Sequence, residues 1–175
     1  MNDAMKHLIL LRHASAETGE PDRARSLSAQ GRSECGRMAG ALERLVPGEF
    51  RPELLLCSPA TRARETLERV GRAFAADVKV EVDEAFYLAS ASQLVAKLRA
   101  LAEPNPQVLL VGHNPGLSEL LKWLVTHGEA EVLRRAARGL APGGLAALRI
   151  PAPHWRDLAA RGAELVAFLR PGDAR

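Results

Sequence analysis

Four side chains carry the chemistry this chain offers: Arg12, His13, Arg62 and His113. Arg12-His13 ends an apolar run, Leu8-Ile9-Leu10-Leu11, and His113 ends another, Val108-Leu109-Leu110-Val111-Gly112. Both runs read as buried strands, and strand ends of an α/β sheet converge on the crevice where such folds bind ligands. A neutral imidazole is a competent nucleophile near pH 7, because its ordinary pKa is about 6.5. Arg12 and Arg62 offer guanidinium forks that grip anionic oxygens in a geometry lysine cannot match. A protonated His113 would add a third clamp. Phosphoryl transfer needs this combination, since its charge spreads over three equatorial oxygens and catalysis is mostly positioning and electrostatic stabilisation. His13 is the expected reactive group, and the scheme requires neither a metal nor another cofactor.

These groups need a scaffold that brings distant parts of the chain together. Strands are expected at about 7–12, 54–57, 78–82, 107–112, 144–150 and 164–169. Apolar residues recur at helical spacing between them: Cys35, Met38, Leu42 and Leu45; Ala60, Ala63, Leu67, Val70 and Phe74; Leu94, Val95, Leu98 and Leu101; Leu117, Leu120, Leu121 and Leu124. Alternating strands and helices predict a three-layer α/β sandwich with a mostly parallel sheet and right-handed crossovers. Segment 127–143 reads as a short charged helix, about 129–138, followed by a turn through Pro142-Gly143-Gly144. Ser58-Pro59 and Asn114-Pro115 each read as an N-cap followed by a first helical residue. Helix N-termini favour anions, and Arg62 falls in the first turn of one of these helices.

Other phosphate chemistries do not match. There is no G-x-x-x-x-G-K-[ST] loop. A cysteine phosphatase needs five residues between its Cys and Arg, whereas Cys57 has four before Arg62 and six before Arg64. No histidine, cysteine or acid shows metal-ligand spacing.

Composition sets wider bounds. The 175 residues suffice for a single domain, expected to span 1–175. Apolar residues make up 47% and charged ones 26%, as in ordinary globular proteins, and aromatics only 4%, so the core must rest on Leu, Val and Ala. A net charge of +3 with no basic block argues against nucleic acid as a partner. Cys35 and Cys57 lack framework spacing and read as reduced thiols. No run approaches the ~18 apolar residues of a membrane span, and the first strand begins too early for a signal peptide, so the expected location is cytoplasmic. The tail Pro171–Arg175 is expected to fray. His7, His127, His154, Trp123 and Trp155 read as structural residues, and Arg64 as solvated or structural.

Four blocks then resemble, in order, those of the histidine phosphatase superfamily. Arg12-His13-Ala14 is similar to its Arg-His-Gly signature, and Leu27-Ser28-Ala29-Gln30-Gly31 to its Leu-Ser/Thr-x-x-Gly helix start. Ser58-Pro59-Ala60-Thr61-Arg62 with Thr66 resembles its Ser-Pro-x-x-Arg-x-x-x-Thr block, and Val111-Gly112-His113-Asn114 its second-histidine block. The short chain without a cap insertion looks most like the SixA-type phosphohistidine phosphatase branch. The resemblance implies the phosphoglycerate mutase-like fold, His13 as the residue that becomes phosphorylated, and a phosphate pocket of Arg12, Arg62 and His113.

Two positions depart from the pattern. Ala14 replaces the usual glycine, which matters only if the local φ is positive or the methyl crowds the pocket. Asn114 follows the second histidine where larger members supply an acid, leaving Glu17, Asp83 and Glu84 as candidate proton donors. An alkoxide leaving group needs such a donor, whereas the imidazole of phosphohistidine can carry its own proton near pH 7. The expected substrate is therefore a histidine-phosphorylated protein, such as a phosphotransfer domain, and the expected ligand phosphate or another oxyanion. A small-molecule phosphomonoesterase or mutase on the same fold stays open, as does a non-catalytic phosphate-binding module. Ser58 and Asn114 are expected to cap helices rather than touch ligand, and Arg62 could instead pair with Glu65 or Glu68.

Overall fold

Apolar runs too short for buried helices and flanked by turn residues become the inner strands of the fold. The computed structural model describes residues 5–45, 49–74 and 76–173. In chain order these residues form β1 (Lys6–Arg12), α1 (Ala29–Leu45), β2 (Leu54–Cys57), α2 (Thr61–Val70), β3 (Lys79–Val82), α3 (Ala91–Arg99) and β4 (Gln107–Gly112). There follow α4 (Gly116–Leu124), β5 (Val125–Gly128), α5 (Ala130–Ala136), β6 (Leu145–Ile150) and β7 (Ala163–Leu169). The sheet order is β3-β2-β4-β1-β6-β7-β5. Pairs β1/β4, β2/β4, β2/β3 and β5/β7 are parallel, and only β6 runs against its neighbours.

Alternation along the central strands feeds two cores. Leu8, Leu10, Leu54, Leu56, Val108 and Leu110 pack with α3 and α4 on one face. Ile9, Leu11, Leu55, Cys57, Leu109 and Val111 pack with α1 and α2 on the other. This is the three-layer α/β sandwich, with a mixed but mostly parallel sheet.

Several local expectations need correction. Strand β5 was not anticipated: Val-Thr-His-Gly carries one strongly apolar residue, and an exposed edge strand requires no more. Helix α2 begins at Thr61 rather than at Pro59, and Ala60 occupies its cap position without a side-chain bond. Helix α4 begins at Gly116, one residue after Pro115, so Asn114 precedes its cap. The tail is partly packed, with Pro171 buried and Asp173 paired to Arg135. Its last residues, 174–175, lie outside the described residues, as does the side chain of Leu45. Among the described residues no helix is long and apolar enough to cross a membrane.

The helix that starts at Ala29 holds the strand end bearing His13. Ser28 caps α1 through its hydroxyl, which accepts from Gly31 N–H at 3.1 Å, and its backbone N–H donates to the Ser15 carbonyl at 3.0 Å. Gly31 lies so close to that carbonyl that a Cβ there would overlap the oxygen. Gly31→Ala therefore sets two effects against each other: up to ~1 kcal/mol of helix propensity gained, and an overlap that displaces backbone. The overlap should win, with a net loss of roughly 1–3 kcal/mol in urea unfolding. A variant as stable as wild type, or more stable, would show that the close approach is unimportant.

Candidate active site

The parallel register sets the site. Arg12 lies opposite Gly112 across β1 and β4, and Cys57 opposite Val111 across β2 and β4. The residues just beyond these positions, His13, His113 and Ser58, therefore emerge side by side at the carboxyl edge of the sheet. Arg62 reaches the same edge from the first turn of α2. His13, His113 and Arg62 line a cavity of about 440 Å³ with Arg12, Ser15, Asp22, Arg25, Leu88, Asn114 and Pro142, and Ser58 lies behind His113.

His13 is held in one tautomer. Its Nδ1 lies 2.8 Å from the Ala14 carbonyl, and its Nε2 accepts from Arg62 Nε at 3.2 Å. An arginine only donates, so Nδ1 carries the proton and Nε2 keeps the lone pair. Burial pushes the His13 pKa down to about 4; the Ala14 carbonyl pulls it up, and nearby Arg62 and Arg12 lower it further. The His113 ring centre lies 5.1 Å away. Burial, with His13 and Arg62 close by, drives its pKa down to about 3. His113, whose charge the sequence leaves open, is thus a neutral imidazole in the free site. Its Nε2 meets Ser58 Oγ at 2.6 Å, and its Nδ1 faces Arg62 Nη2 at 3.4 Å. Ser58 spends its hydroxyl on His113 while accepting a 3.3 Å bond from Ala60 N–H, so it orients the second histidine rather than capping α2.

Arg62 is 2% exposed, and its partner is neither Glu65 nor Glu68. Nη1 donates to the Asp22 carbonyl at 2.7 Å and Nη2 to the Asp22 carboxylate at 3.0 Å. Asp22 also accepts from Tyr87 Oη at 2.7 Å and from Arg25 at 2.6 Å. These hydrogen bonds, that from Tyr87 foremost, hold its carboxyl well below the usual range despite some desolvation, so Asp22 is ionised. Arg12 donates to the Leu140 carbonyl at 3.0 Å, while its Nε is buried with no hydrogen-bond partner among the described residues. Burial lowers its pKa, and Glu34 offsets part of that.

The loop after His13 is fixed on both sides. Ala14 N–H donates to Thr66 Oγ1 at 3.1 Å, and that hydroxyl donates to the Arg62 carbonyl at 2.7 Å. Ser15 N–H donates to buried Glu34 at 2.8 Å. Ala14 is fully buried, packs in the α1/α2 core and is not among the residues with positive φ, so a methyl is accommodated there.

None of the candidate proton donors lines the cavity. Glu17 is exposed. Asp83 accepts from Ala85 N–H at 2.8 Å and pairs with Lys97 at 2.6 Å. Glu84 is exposed and paired with Arg23. Asn114 accepts from Ser118 Oγ at 2.8 Å and donates to the Leu140 carbonyl at 2.8 Å, so its amide fixes the loop. Cys57 is a buried apolar neighbour whose thiol is pushed up to about 12 by desolvation. Sequence reasoning missed Asp22, Arg25 and Tyr87. The first two sit in a charged loop without periodicity, and only the chain's single tyrosine could have drawn notice.

The two low histidine pKa values predict a pH effect. Both folded values lie below the ordinary 6.5, so the unfolded chain binds protons that the folded one refuses. Their contribution is fully present above about pH 6.5 and is lost as pH falls through 6.5 toward about 4. Melting temperature should drop between pH 7.5 and pH 5, and phosphate should offset the drop by favouring the charged rings. Ring NMR signals of His13 and His113 that titrate near 6.5 would contradict this.

No protein-family model matches the chain. An uncharacterized protein of Mycobacterium tuberculosis is 32% identical over 165 residues, covering 92% of this chain and 99% of that protein. One from Mycobacterium leprae is 31% identical over 168 residues, with the same coverage. Among solved structures, a candidate phosphohistidine phosphatase SixA from Nakamurella multipartitia superposes with a TM-score of 0.76 at 28% identity, over 95% of this chain and 96% of that one. A candidate SixA from Agrobacterium tumefaciens gives the same score and identity over 95% and 98%. The protein histidine phosphatase SixA complexed with tungstate, at 21% identity and a TM-score of 0.73 over 97% and 99%, shares the fold.

Proposed function

Because the chain belongs to the histidine phosphatase superfamily, in its SixA-type branch, and is a phosphatase, we propose that it hydrolyses phosphohistidine on other proteins through a phosphoryl group carried on its own His13. The phosphoryl oxygens take donors from Arg12, Arg62 and His113. Arg62 Nε exchanges its long bond to His13 Nε2 for a bond to the anion, which frees the lone pair. His13 Nε2 then attacks phosphorus in line; the N–P bond to the substrate imidazole breaks as the new N–P bond forms. The Ala14 carbonyl keeps the proton on His13 Nδ1, so the ring leaves as a neutral imidazole when water attacks in the second step. Phosphate proximity raises the proton affinity of His113 and turns it into a third donor.

One observation carries the choice of substrate. Among the described residues Asp22 is the only carboxylate lining the cavity, and Tyr87, Arg25 and Arg62 keep it ionised. An ionised carboxylate cannot protonate an alkoxide, but the imidazole of phosphohistidine departs with its own proton. The solved SixA bound to tungstate supports an oxyanion as the ligand in this cavity. Two buried, unpaired thiols fit a cytoplasmic setting.

Phosphate release from a histidine-phosphorylated phosphotransfer protein tests the reading, with a phosphoserine peptide and a sugar phosphate alongside. Turnover on phosphohistidine is expected to exceed that on either ester and to be unchanged by chelator. Turnover on the esters alone would assign the site to small-molecule phosphomonoester chemistry. Oxyanion binding without any turnover would make it a recognition module.

A further inference from the structure

Leu88 is out of place by every local rule. It is 55% exposed, yet it faces the catalytic cavity, unlike the other exposed large apolar residues, Val80 and Val82. Its φ is +49°, in the left-handed region, shared among the described non-glycine residues only with Arg161. Leucine has no polar group to bond its own backbone there, as asparagine would.

Both neighbours impose the conformation. Before it, Tyr87 is anchored by its hydroxyl to Asp22 at 2.7 Å and sets its ring edge-on to His113, centres 5.5 Å apart. After it, Ala89 is buried, and its carbonyl lies where a Cβ on Gly116 would overlap it. The turn that precedes Tyr87 is capped by Asp83 and tied across to Arg23 through Glu84. Leu88 is thus held out between two fixed points, and strain of this kind persists where the surroundings over-determine it, most often at functional sites.

The cations and imidazoles of the cavity serve the phosphoryl oxygens. A leucine at the rim serves none of them, and its use is to whatever group the phosphorus is attached to. We propose that Leu88 is a specificity-determining wall of the leaving-group subsite, packing against a flat apolar ring and favouring ring-bearing phosphoryl donors over ring-free ones. The inference rests on the cavity's holding the phosphoryl group, and it supplies an imidazole-sized ring with its apolar contact.

Phenylphosphonate and methylphosphonate present one anion with and without a ring, and their affinities can be read by calorimetry without turnover. Wild type should bind the phenyl compound about tenfold more tightly, the size expected for part of a leucine side chain leaving water. Leu88→Gly and Leu88→Asn both accept a left-handed backbone, so each should melt at or above the wild-type temperature. In each, the ratio of the two affinities should shrink toward one. A wild-type ratio near one, a ratio unchanged in both variants, or an equal loss of both affinities would overturn the proposal. Phosphohistidine hydrolysis is read separately on wild type: if it fails while the ring preference follows Leu88, the substrate assignment falls and the role of Leu88 stands.

Discussion

Replacing His13 by alanine should lower turnover of phosphohistidine by about 10⁴-fold or more, the scale seen when a covalent nucleophile is removed and only the binding groups remain. The variant should keep its fold. His13 contributes no core packing, and its depressed pKa means that the folded state gains acid tolerance when the ring is lost. Arg12, Arg62 and His113 stay in place, so the variant should still bind phosphate or tungstate within a few-fold of wild type. Loss of turnover with retained oxyanion binding separates a nucleophile from a fourth clamp. Activity above about a tenth of wild type would mean that water attacks substrate directly and that no intermediate forms on His13.

Replacing Arg62 should be nearly as severe and should distinguish geometry from charge. The guanidinium touches His13 Nε2, the Asp22 carbonyl and carboxylate, and His113 Nδ1 at once. Alanine removes a donor aimed at the transferring group and leaves the ionised Asp22 facing the incoming anion with one fewer counter-charge. Removing one such donor lowers turnover by 10²–10³, and arginines that stabilise transferring phosphoryl groups contribute 10³ or more, so a loss of about 10³-fold is expected. Lysine restores the charge but not the fork, and Arg62→Lys should recover less than about tenfold of that loss. A lysine variant within threefold of wild type would reduce Arg62 to a point charge. Asp22→Asn should fall between them, since Arg25 and Tyr87 also hold that loop through the carboxylate.

The sequence carried the frame of this site because a parallel sheet encodes its own crevice. Leu8–Leu11 and Val108–Val111 could only be buried strands, and their ends had to lie together once β1 and β4 paired. The resemblance blocks also acquire physical reasons. Thr66 bonds the backbone beside His13, Ser58 bonds His113, and Gly31 lets the Ser15 carbonyl approach. What was hidden lies in segments without periodicity. Asp22 and Arg25 reach the cavity from a loop whose composition says only that it is polar. Tyr87 and Leu88 follow a short 3-10 turn, where neither propensity nor pattern shows which way a side chain faces. Ser58 was misread for a related reason, whereas Asn114, one residue ahead of the cap, does accept from Ser118 N–H in the first turn of α4 at 3.3 Å. Local cap chemistry is visible in sequence, but the claim of His113 on Ser58 and the bond from Asn114 to the Leu140 carbonyl are tertiary. The neutral state of His113 likewise follows from burial beside His13 and Arg62, which spacing along the chain cannot convey.

The central claim is a covalent phosphoryl group on His13, and rapid quench of the enzyme with a ³²P-labelled histidine-phosphorylated protein tests it most directly. Transient label is expected on this chain, stable to alkali and released by acid as a phosphoramidate should be, mapping to the peptide that contains His13 and absent from His13→Ala. Phosphate released at the wild-type rate with no label on the chain at any time, or label on a residue other than His13, would contradict it.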